Sequence, residues 1–186
     1  MQEARGNLSR RAHGGIIATA MPILDERTLE FTSRGPDQTR RLGVRLGELL
    51  RGGECICLEG ELGAGKTCLA QGIAAGWGVT GPVRSPTFTL IHEFRRLDSP
   101  HKFYHADLYR IANSSEAWAL GLDDVWVSGG VCVIEWPEHA TSILPPERLW
   151  IRLAVLDEMR RMLRFTAQGD RYQALLDDFR RAAFGG

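Results

Sequence analysis

The stretch Gly60-Glu-Leu-Gly-Ala-Gly-Lys-Thr67 decides the fold of this chain. It matches the pattern G-x-x-x-x-G-K-[ST], in which glycines turn backbone N–H groups towards an anion while the lysine and the hydroxyl group serve phosphates and Mg²⁺. The short apolar run Cys55–Leu58 precedes it, and a helical stretch from Lys66 to about Ala75 follows. Strand, glycine-rich loop and helix in this order are the context that a P-loop requires. The sequence therefore predicts a P-loop that binds a nucleotide with Mg²⁺.

The composition supports a globular protein without a broad nucleic-acid surface. The chain has 186 residues, of which 44% are hydrophobic, and its 23 basic and 23 acidic residues give a formal net charge of zero. Among the basic residues only Lys66 and Lys102 are lysine, and all others are arginine. A compact ammonium fits between phosphate groups as a point charge, whereas a planar guanidinium does not. A lysine at position 66 in an arginine-rich chain therefore agrees with a P-loop.

The cysteines and the apolar segments predict a cytoplasmic location without membrane contact. The four cysteines show no C-x-x-C spacing and form no zinc-ligand pattern with the histidines. We therefore expect small buried residues in a reducing compartment. No apolar run approaches the roughly 18–20 residues of a membrane span. The apolar patch near the N-terminus is too short and interrupted for a signal peptide.

The chain divides by pattern into three parts. Residues 1–26 are polar, arginine-rich and aperiodic, which predicts a disordered extension. Residues 27–168 are predicted to form one P-loop ATPase domain, and residues 169–186 a C-terminal amphipathic helix and tail. The expected fold is α/β, a single P-loop NTPase-like domain with a central mixed, mostly parallel sheet flanked by helices.

Within the domain, apolar periodicity and turn residues predict the remaining elements. A helix follows Gly35-Pro36-Asp37 and ends at Gly52-Gly53, and Val131–Ile134 is a second buried strand that ends at Glu135. The other predicted elements are an antiparallel pair of strands, Thr87–Phe94 and Phe103–Tyr109, a short helix capped by Ser114 or Ser115 and running through Leu120, strands Leu149–Val155 and Met162–Thr166 joined by a turn at Asp157–Arg161, and a helix over 170–183.

Several polar and aromatic residues could join the P-loop in one site. Glu135 and Asp107 each close a predicted strand and are both candidates for a carboxylate near the Mg²⁺. Thr87 either senses the γ-phosphate, as a switch threonine does, or simply begins a strand after proline. Trp136 either stacks beside the nucleotide or belongs to the core, and a strand histidine such as His105 is usually structural. The guanine-reading sequence N-K-x-D is absent, which favours adenine.

Four motifs together resemble one family. They are Gly60-Glu-Leu-Gly-Ala-Gly-Lys-Thr67, Ser85-Pro-Thr-Phe-Thr-Leu90, His105-Ala-Asp-Leu-Tyr-Arg110 and Ile134-Glu-Trp-Pro-Glu138. In this order, over residues 36–166, the chain resembles the bacterial TsaE family. The resemblance implies a mixed α/β P-loop sheet and a weak Mg²⁺-dependent ATPase. It also implies TsaD and TsaB as partners, which attach threonylcarbamoyl to adenosine 37 of tRNA, so that tRNA is engaged indirectly.

The resemblance also implies roles for single residues. Lys66 is similar to the phosphate lysine, Thr67 and Glu135 to the Mg²⁺ ligands, and Asp107 and Thr87 to residues that support hydrolysis with Lys66. An arginine near the last strand is expected to contact the nucleotide and is assigned to Arg161, with Arg160 and Arg164 as the alternatives. The full set of implied nucleotide contacts is Thr39, Glu61, Leu62, Gly63, Ala64, Gly65, Lys66, Thr67, Trp136, Glu138 and Arg161.

Two other functions remain open at this stage. A small-molecule kinase would share the P-loop, but such kinases usually carry an arginine-bearing lid, and the sequence shows no clear one. A nucleotide switch that binds without useful turnover would use the same γ-phosphate contacts as a slow ATPase. The arginines around 160–164 and 180–181 could touch tRNA phosphates, although solvated strand ends and a solvated helix face explain them more simply.

Overall fold

A computed structural model describes residues 26–83, 90–96 and 99–184 of the protein. Of residues 1–26, which are predicted to be disordered, all but Glu26 lie outside these residues, and so does the predicted switch residue Thr87. The strands are β1 (Thr28–Ser33), β2 (Cys55–Glu59), β3 (Ile91–Arg95), β4 (Lys102–Asp107), β5 (Val131–Glu135), β6 (Arg148–Val155) and β7 (Arg161–Gln168). The α-helices are α1 (Pro36–Leu49), α2 (Lys66–Trp77), α3 (Ser114–Trp118), α4 (Leu122–Val127) and α5 (Asp170–Phe184), and a 3₁₀ helix covers Pro137–Ala140.

The seven strands form one mixed sheet in the order β1-β7-β6-β2-β5-β4-β3. The central neighbours β6, β2, β5 and β4 run parallel to one another. The outer pairs β1–β7, β7–β6 and β4–β3 are antiparallel. The expectation of an α/β fold with a mixed sheet flanked by helices is confirmed, and three of the six strand pairs are parallel while three are antiparallel.

Helices cover both faces of the sheet and create two apolar cores. Val131 and Val133 of β5 pack into the core under α1, α2 and α5, whereas Cys132 and Ile134 pack into the core under α3, α4 and the 3₁₀ helix. Alternate side chains of a strand point to opposite faces, so a strand covered on both sides must be apolar throughout. This explains why the sequence shows β2 and β5 as unbroken apolar runs.

Helix α5 completes the first of these cores. Its buried residues Tyr172, Leu175, Leu176 and Phe179 pack against the sheet, as the amphipathic pattern predicts. The backbone N–H of Cys55 donates to Tyr172 Oη over 2.7 Å. The C-terminal helix is thereby fixed to the first residue of β2.

Helices α1 and α2 make an unusually close contact through glycines. A Cβ atom added to Gly43 would lie 2.5 Å from the Leu69 carbonyl oxygen, and one added to Gly76 would lie 2.0 Å from the Val44 carbonyl oxygen. Distances this short between a side chain and a rigid backbone are not tolerated, so only glycine fits at these positions. The glycines therefore set how closely α1 approaches the helix that follows the loop.

Several predicted elements are confirmed with shifted ends. The α1 helix begins at Pro36 as its turn signal indicates, the β3–β4 pair is antiparallel, and β6 and β7 form a hairpin. Strand β3 begins at Ile91, and the part of the prediction that covers 87–89 lies outside the described residues. The helix α3 is capped by the Asn113 side chain, which accepts from the N–H groups of Ser115 and Glu116. The prediction of a serine cap is therefore wrong.

The sequence prediction misses strand β1, helix α4 and the 3₁₀ helix at Pro137–Ala140. Strand β1 buries only Leu29 and Ser33 and pairs along one edge, so its apolar signal is weak. Helix α4 has six residues, fewer than two turns, and follows Gly121 in a left-handed conformation. Within the described residues, no helix is long and apolar enough to cross a membrane.

The cysteines behave as the sequence predicts, with one exception. Cys55, Cys57 and Cys132 are buried and carry free thiols, whereas Cys68 is only half-buried. Burial raises the pKa of the Cys57 and Cys132 thiols well above the ordinary value. These two thiols are therefore poor nucleophiles and act as small core residues.

We predict that Gly47→Ala and Gly76→Ala each destabilise the protein. A Cβ at Gly47 would lie 2.1 Å from the Ile73 carbonyl oxygen. Overpacking of this kind costs about 1–3 kcal/mol, which exceeds the gain of roughly 1 kcal/mol from replacing glycine in a helix. Urea unfolding measures the change, and Glu48→Ala on the exposed side of α1 is the control. A free energy of unfolding equal to that of the wild type would contradict the prediction.

Candidate functional site

The candidate site lies where the central parallel strands end. The glycine-rich loop follows β2, Glu135 is the last residue of β5, and Asp107 is the last residue of β4. Glu135 is the direct neighbour of Leu58 in β2 and of Asp107 in β4. The carboxyl ends of parallel strands are where ligands bind in α/β sheets, so the register brings both candidate carboxylates to the loop.

The loop has the backbone conformation that its glycines allow. Gly60, Gly63 and Gly65 have positive φ angles of 153°, 79° and 101°. A Cβ at Gly60 would also lie 2.5 Å from the Leu153 carbonyl oxygen, so glycine is required there by space as well. Among the described residues no side chain caps the start of α2. The N–H groups of its first turn therefore remain open to an anion.

Lys66 is buried at the centre of this arrangement. Its Nζ atom donates to the carbonyl oxygens of Gly60 and Glu61 over 2.6 and 2.9 Å. The same atom lies 3.8 Å from the centre of the Trp136 ring, a cation–π contact. The ammonium is thus held between the loop backbone and an indole, and only 4% of the residue is exposed.

Burial and charge act on Lys66 in opposite directions. Burial lowers the pKa of its ammonium below the ordinary lysine value, while the carboxylates of Glu135, Glu138 and Asp107 raise it, burial being the larger effect. These three carboxylates all act on the one cation. An anionic ligand placed on Lys66 would add negative charge to this group, so a divalent cation beside it would balance the site.

Trp136 is held in a strained position. It is the only non-glycine residue among those described with a positive φ angle, at φ 60° and ψ 49°. This left-handed conformation is unfavourable for a bulky side chain. Its ring packs against Tyr109 at 5.0 Å between ring centres, in addition to covering Lys66. Trp136 is half-buried against the second core and borders the loop through Lys66, and its stacking beside a nucleotide stays a prediction.

Three polar side chains form a continuous chain from the loop into the sheet. The Thr67 hydroxyl donates to Glu135 Oε2 over 3.0 Å, and Glu135 Oε1 lies 2.9 Å from His105 Nε2. A threonine hydroxyl beside a carboxylate is a donor set suited to Mg²⁺, which prefers oxygen ligands and usually takes only one or two from the protein. In the described residues no cluster of three His, Cys, Asp or Glu side chains could hold an ion alone. The pair fits an ion whose other ligands are phosphate oxygens and water.

A cavity of about 390 Å³ opens above this pair. Asp107 lines it, and Asp107 Oδ1 accepts a hydrogen bond of 3.0 Å from the N–H of Tyr109. The backbone N–H of Leu108 donates to the Glu135 carbonyl oxygen, so the turn after β4 is fixed to the end of β5. The lining residues are Leu62, Gly63, Gly65, Lys66, Thr67, Leu90, Asp107, Tyr109, Arg110, Glu135 and Trp136.

The other predicted nucleotide contacts lie in two neighbouring cavities. Thr39 and Arg161 line a cavity of about 150 Å³ that also contains Gly63, Ala64 and Gly65. Glu61 and Glu138 line a cavity of about 490 Å³ on the other side of Trp136. The predicted set therefore surrounds the loop but is divided among three openings. Thr87 lies outside the described residues.

The structure separates the three candidate arginines. Arg161 borders the cavity with Thr39, and its guanidinium donates to the carbonyl oxygens of Asp157, Glu158 and Arg160 in its own turn. Arg160 pairs with Asp157 at 2.5 Å. Arg164 pairs with Glu30 across the β1–β7 ladder at 2.5 Å. Of the three, Arg161 is the one that lines a cavity beside the loop.

Sequence reasoning misses two participants. Arg110 lines the cavity of about 390 Å³ together with loop residues, and its place next to Tyr109 in the motif that contains Asp107 is the signal that could have found it. His105 is fully buried, as expected of a structural histidine, yet it contacts Glu135. That contact depends on the register of β4 against β5, which no local pattern reveals.

The strand order and the loop define an α/β protein with a glycine-rich loop of the phosphate-binding pattern between a central parallel strand and a helix. The family model described as Threonylcarbamoyl adenosine biosynthesis protein TsaE matches residues 33–163, and the chain belongs to this family. This confirms the resemblance given by the four motifs.

Individual proteins similar to this chain support the same family assignment. A protein of Bacillus subtilis (strain 168) named tRNA threonylcarbamoyladenosine biosynthesis protein TsaE is 38% identical over 153 residues, which cover 82% of this chain and 94% of the relative. A protein of the same name from Streptomyces coelicolor is 40% identical over 139 residues, covering 72% and 93% of the two chains. The crystal structure of Bacillus subtilis YdiB superposes with a TM-score of 0.72 at 34% identity, covering 84% of this chain and 96% of that one.

We predict that the pKa of Lys66 lies below the ordinary lysine value of about 10.4 and falls further in Glu135→Gln. Of the carboxylates that raise the Lys66 pKa against the effect of burial, Glu135 has the largest effect. Because the chain has only two lysines, NMR of ¹³Cε-labelled lysine gives two titrating signals, and Lys102→Arg assigns them. A Lys66 pKa at or above the ordinary value, or one that rises in Glu135→Gln, would refute this account of the site.

Proposed function

We propose that this protein binds ATP with Mg²⁺ on the loop 60–67, hydrolyses it slowly, and serves threonylcarbamoyladenosine formation in tRNA together with TsaD and TsaB proteins. The supporting observation is the buried Lys66 on the loop backbone, beside the pair of Thr67 and Glu135. The names of the relatives, which place them in tRNA threonylcarbamoyladenosine biosynthesis, supply the process.

Lys66 has the central binding role in this proposal. In the structure its ammonium uses two loop carbonyl oxygens and the Trp136 ring as partners. Phosphate oxygens are stronger partners for a cation than neutral carbonyl groups. Lys66 therefore turns from the Gly60 and Glu61 carbonyl oxygens to the β- and γ-phosphates, and the uncapped first turn of α2 adds its N–H groups.

Thr67 and Glu135 hold the metal, and Asp107 supports hydrolysis. Mg²⁺ neutralises charge on the phosphates when it is bound. Glu135 approaches Thr67 from β5, so the two oxygen ligands come from different elements and meet at 3.0 Å. Asp107 faces the same cavity from β4. From there its carboxylate orients the attacking water and accepts its proton.

The partner assignment rests on the family. TsaD and TsaB contact the tRNA in this proposal, and the present protein acts on their assembly. The balanced charge of the chain agrees with this division, because direct binding of RNA depends largely on basic residues that meet phosphates.

Trp136 supports a second candidate, a nucleotide switch without useful turnover. The strained backbone of Trp136 and its contact with Lys66 would change when the Lys66 ammonium moves from the indole ring to the phosphates.

We predict that ATP hydrolysis by the purified protein is slow, is stimulated by TsaD and TsaB, and falls by roughly 10²–10³-fold in Lys66→Ala, as expected when a preorganised phosphate ligand is lost. Phosphate release with and without the partners measures the rate, and Lys102→Ala is the matched lysine control. Hydrolysis that is equally fast without the partners would contradict the partner assignment. Transfer of labelled phosphate to a small molecule would favour a kinase instead.

We predict that Asp107→Asn lowers kcat by roughly 10²-fold or more while leaving the affinity for ATP within a few-fold of wild type, because a lost general base affects the chemical step. Single-turnover hydrolysis and equilibrium binding measure the two quantities. Asp178→Asn, on the exposed side of α5, is the control. An unchanged kcat would remove Asp107 from the hydrolytic step. Tight binding with no turnover even in the wild type, alone and with TsaD and TsaB, would favour the switch.

A further inference from the structure

A buried histidine stands directly behind the carboxylate of the candidate metal site. His105 is 0% exposed and Glu135 is 2% exposed. His105 Nε2 lies 2.9 Å from Glu135 Oε1, and Glu135 Oε2 accepts from the Thr67 hydroxyl over 3.0 Å. Each oxygen of the carboxylate therefore has a different partner, one inside the sheet and one on the loop side.

The sheet register fixes this contact. In the parallel ladder His105 is the direct neighbour of Val133, and Glu135 stands two residues further along β5. Residues two apart on a strand share one face of the sheet. His105 therefore reaches Glu135 diagonally across the face that α2 covers, where Thr67 lies in the first turn of the helix. The same face carries the apolar neighbours Phe103 and Val133 of the first core.

The hydrogen of this bond belongs to the histidine. An ionised carboxylate only accepts hydrogen bonds, so Nε2 carries the proton and donates it to Oε1. The other ring nitrogen, Nδ1, is buried without a hydrogen-bond partner among the described residues. With the proton on Nε2, the neutral ring leaves only the lone pair of Nδ1 without a partner. The ring and the carboxylate together thus have one favourable arrangement.

We infer that His105 is a positioning residue for the metal ligand Glu135. Its bond holds Oε1 inside the sheet and directs Oε2 towards Thr67, where Mg²⁺ would bind. Without this bond the carboxylate is free to rotate about its last torsion, and a buried oxygen loses its partner. This inference rests on the proposed function, because it assigns His105 a role in the metal site of that proposal.

The test measures binding rather than hydrolysis. The dissociation constant of a non-hydrolysable ATP analogue is determined by calorimetry in Mg²⁺ and in EDTA, and their ratio gives the gain from the metal. His105→Leu removes the donor at similar volume, and we expect it to reduce the gain by about 10–100-fold, with affinity in EDTA unchanged. His105→Gln, whose amide nitrogen stands at the same distance along the side chain, should restore most of the gain.

Matched variants separate positioning from packing. Val133→Ala removes volume from the same face but no donor, so it should lower the melting temperature and keep the full gain from Mg²⁺. His101→Leu changes a histidine that directly precedes the opposite end of β4, and this variant should keep the full gain as well. If His105→Leu does not fold, His105→Asn replaces it, because its shorter amide cannot reach Oε1. In a Glu135→Gln background, His105→Leu should have no further effect on the gain.

Each outcome decides the inference. A reduced gain in His105→Leu that His105→Gln restores supports it. A gain equal to that of the wild type, an equal loss of affinity with and without Mg²⁺, or a similar loss of gain in Val133→Ala overturns it and leaves the proposed function intact. A wild-type protein whose affinity is the same in Mg²⁺ and EDTA, or which does not bind the analogue, overturns both.

Discussion

The close contact between α1 and α2 is the constraint on which the rest of the site depends. Helix α2 supplies Lys66 and Thr67 from its first turn. Its position over the sheet is set by glycines, because the α1 and α2 backbones lie so close together at these residues that a Cβ atom would not fit. Because the Thr67 hydroxyl must meet a carboxylate that is itself fixed at the end of β5, a small shift of α2 would open the pair. The packing of α1 against α2 therefore also determines the geometry of the Thr67–Glu135 pair.

The site concentrates carboxylates around a single buried ammonium. Lys66 faces the charges of Glu135, Glu138 and Asp107, and burial weakens the cation while these charges strengthen it. Phosphate groups bound together with a divalent cation would bring negative charge to the ammonium and positive charge to the carboxylates. A nucleotide with Mg²⁺ therefore suits this group of charges.

Local patterns predict the parts of the fold that are local. The strand β2, the loop and α2 follow from apolar runs and glycine positions, and the β6–β7 hairpin follows from two strands around a turn. The edge strand β1 escapes because it alternates weakly and buries a serine. The balance of parallel and antiparallel pairs escapes because strand direction depends on neighbours distant in sequence. Within the site, Glu135 and Asp107 are found as strand ends, whereas the partnership of His105 with Glu135 requires the register of two strands.

The edge strand has a consequence for the order of folding. Strand β1 pairs with β7 near the other end of the described chain, Thr28 facing Thr166. Closing so long a loop is entropically unfavourable until other contacts have formed, and chains rich in such contacts fold slowly. The last residue of β1, Ser33, accepts the hydrogen bond of Thr39 over 2.8 Å, and Thr39 borders the small cavity beside the loop. A chain whose sheet has formed without β1 would thus carry a finished loop and an unfinished cavity. Completion of that cavity accordingly depends on the strand pair of the sheet whose members lie furthest apart in the sequence.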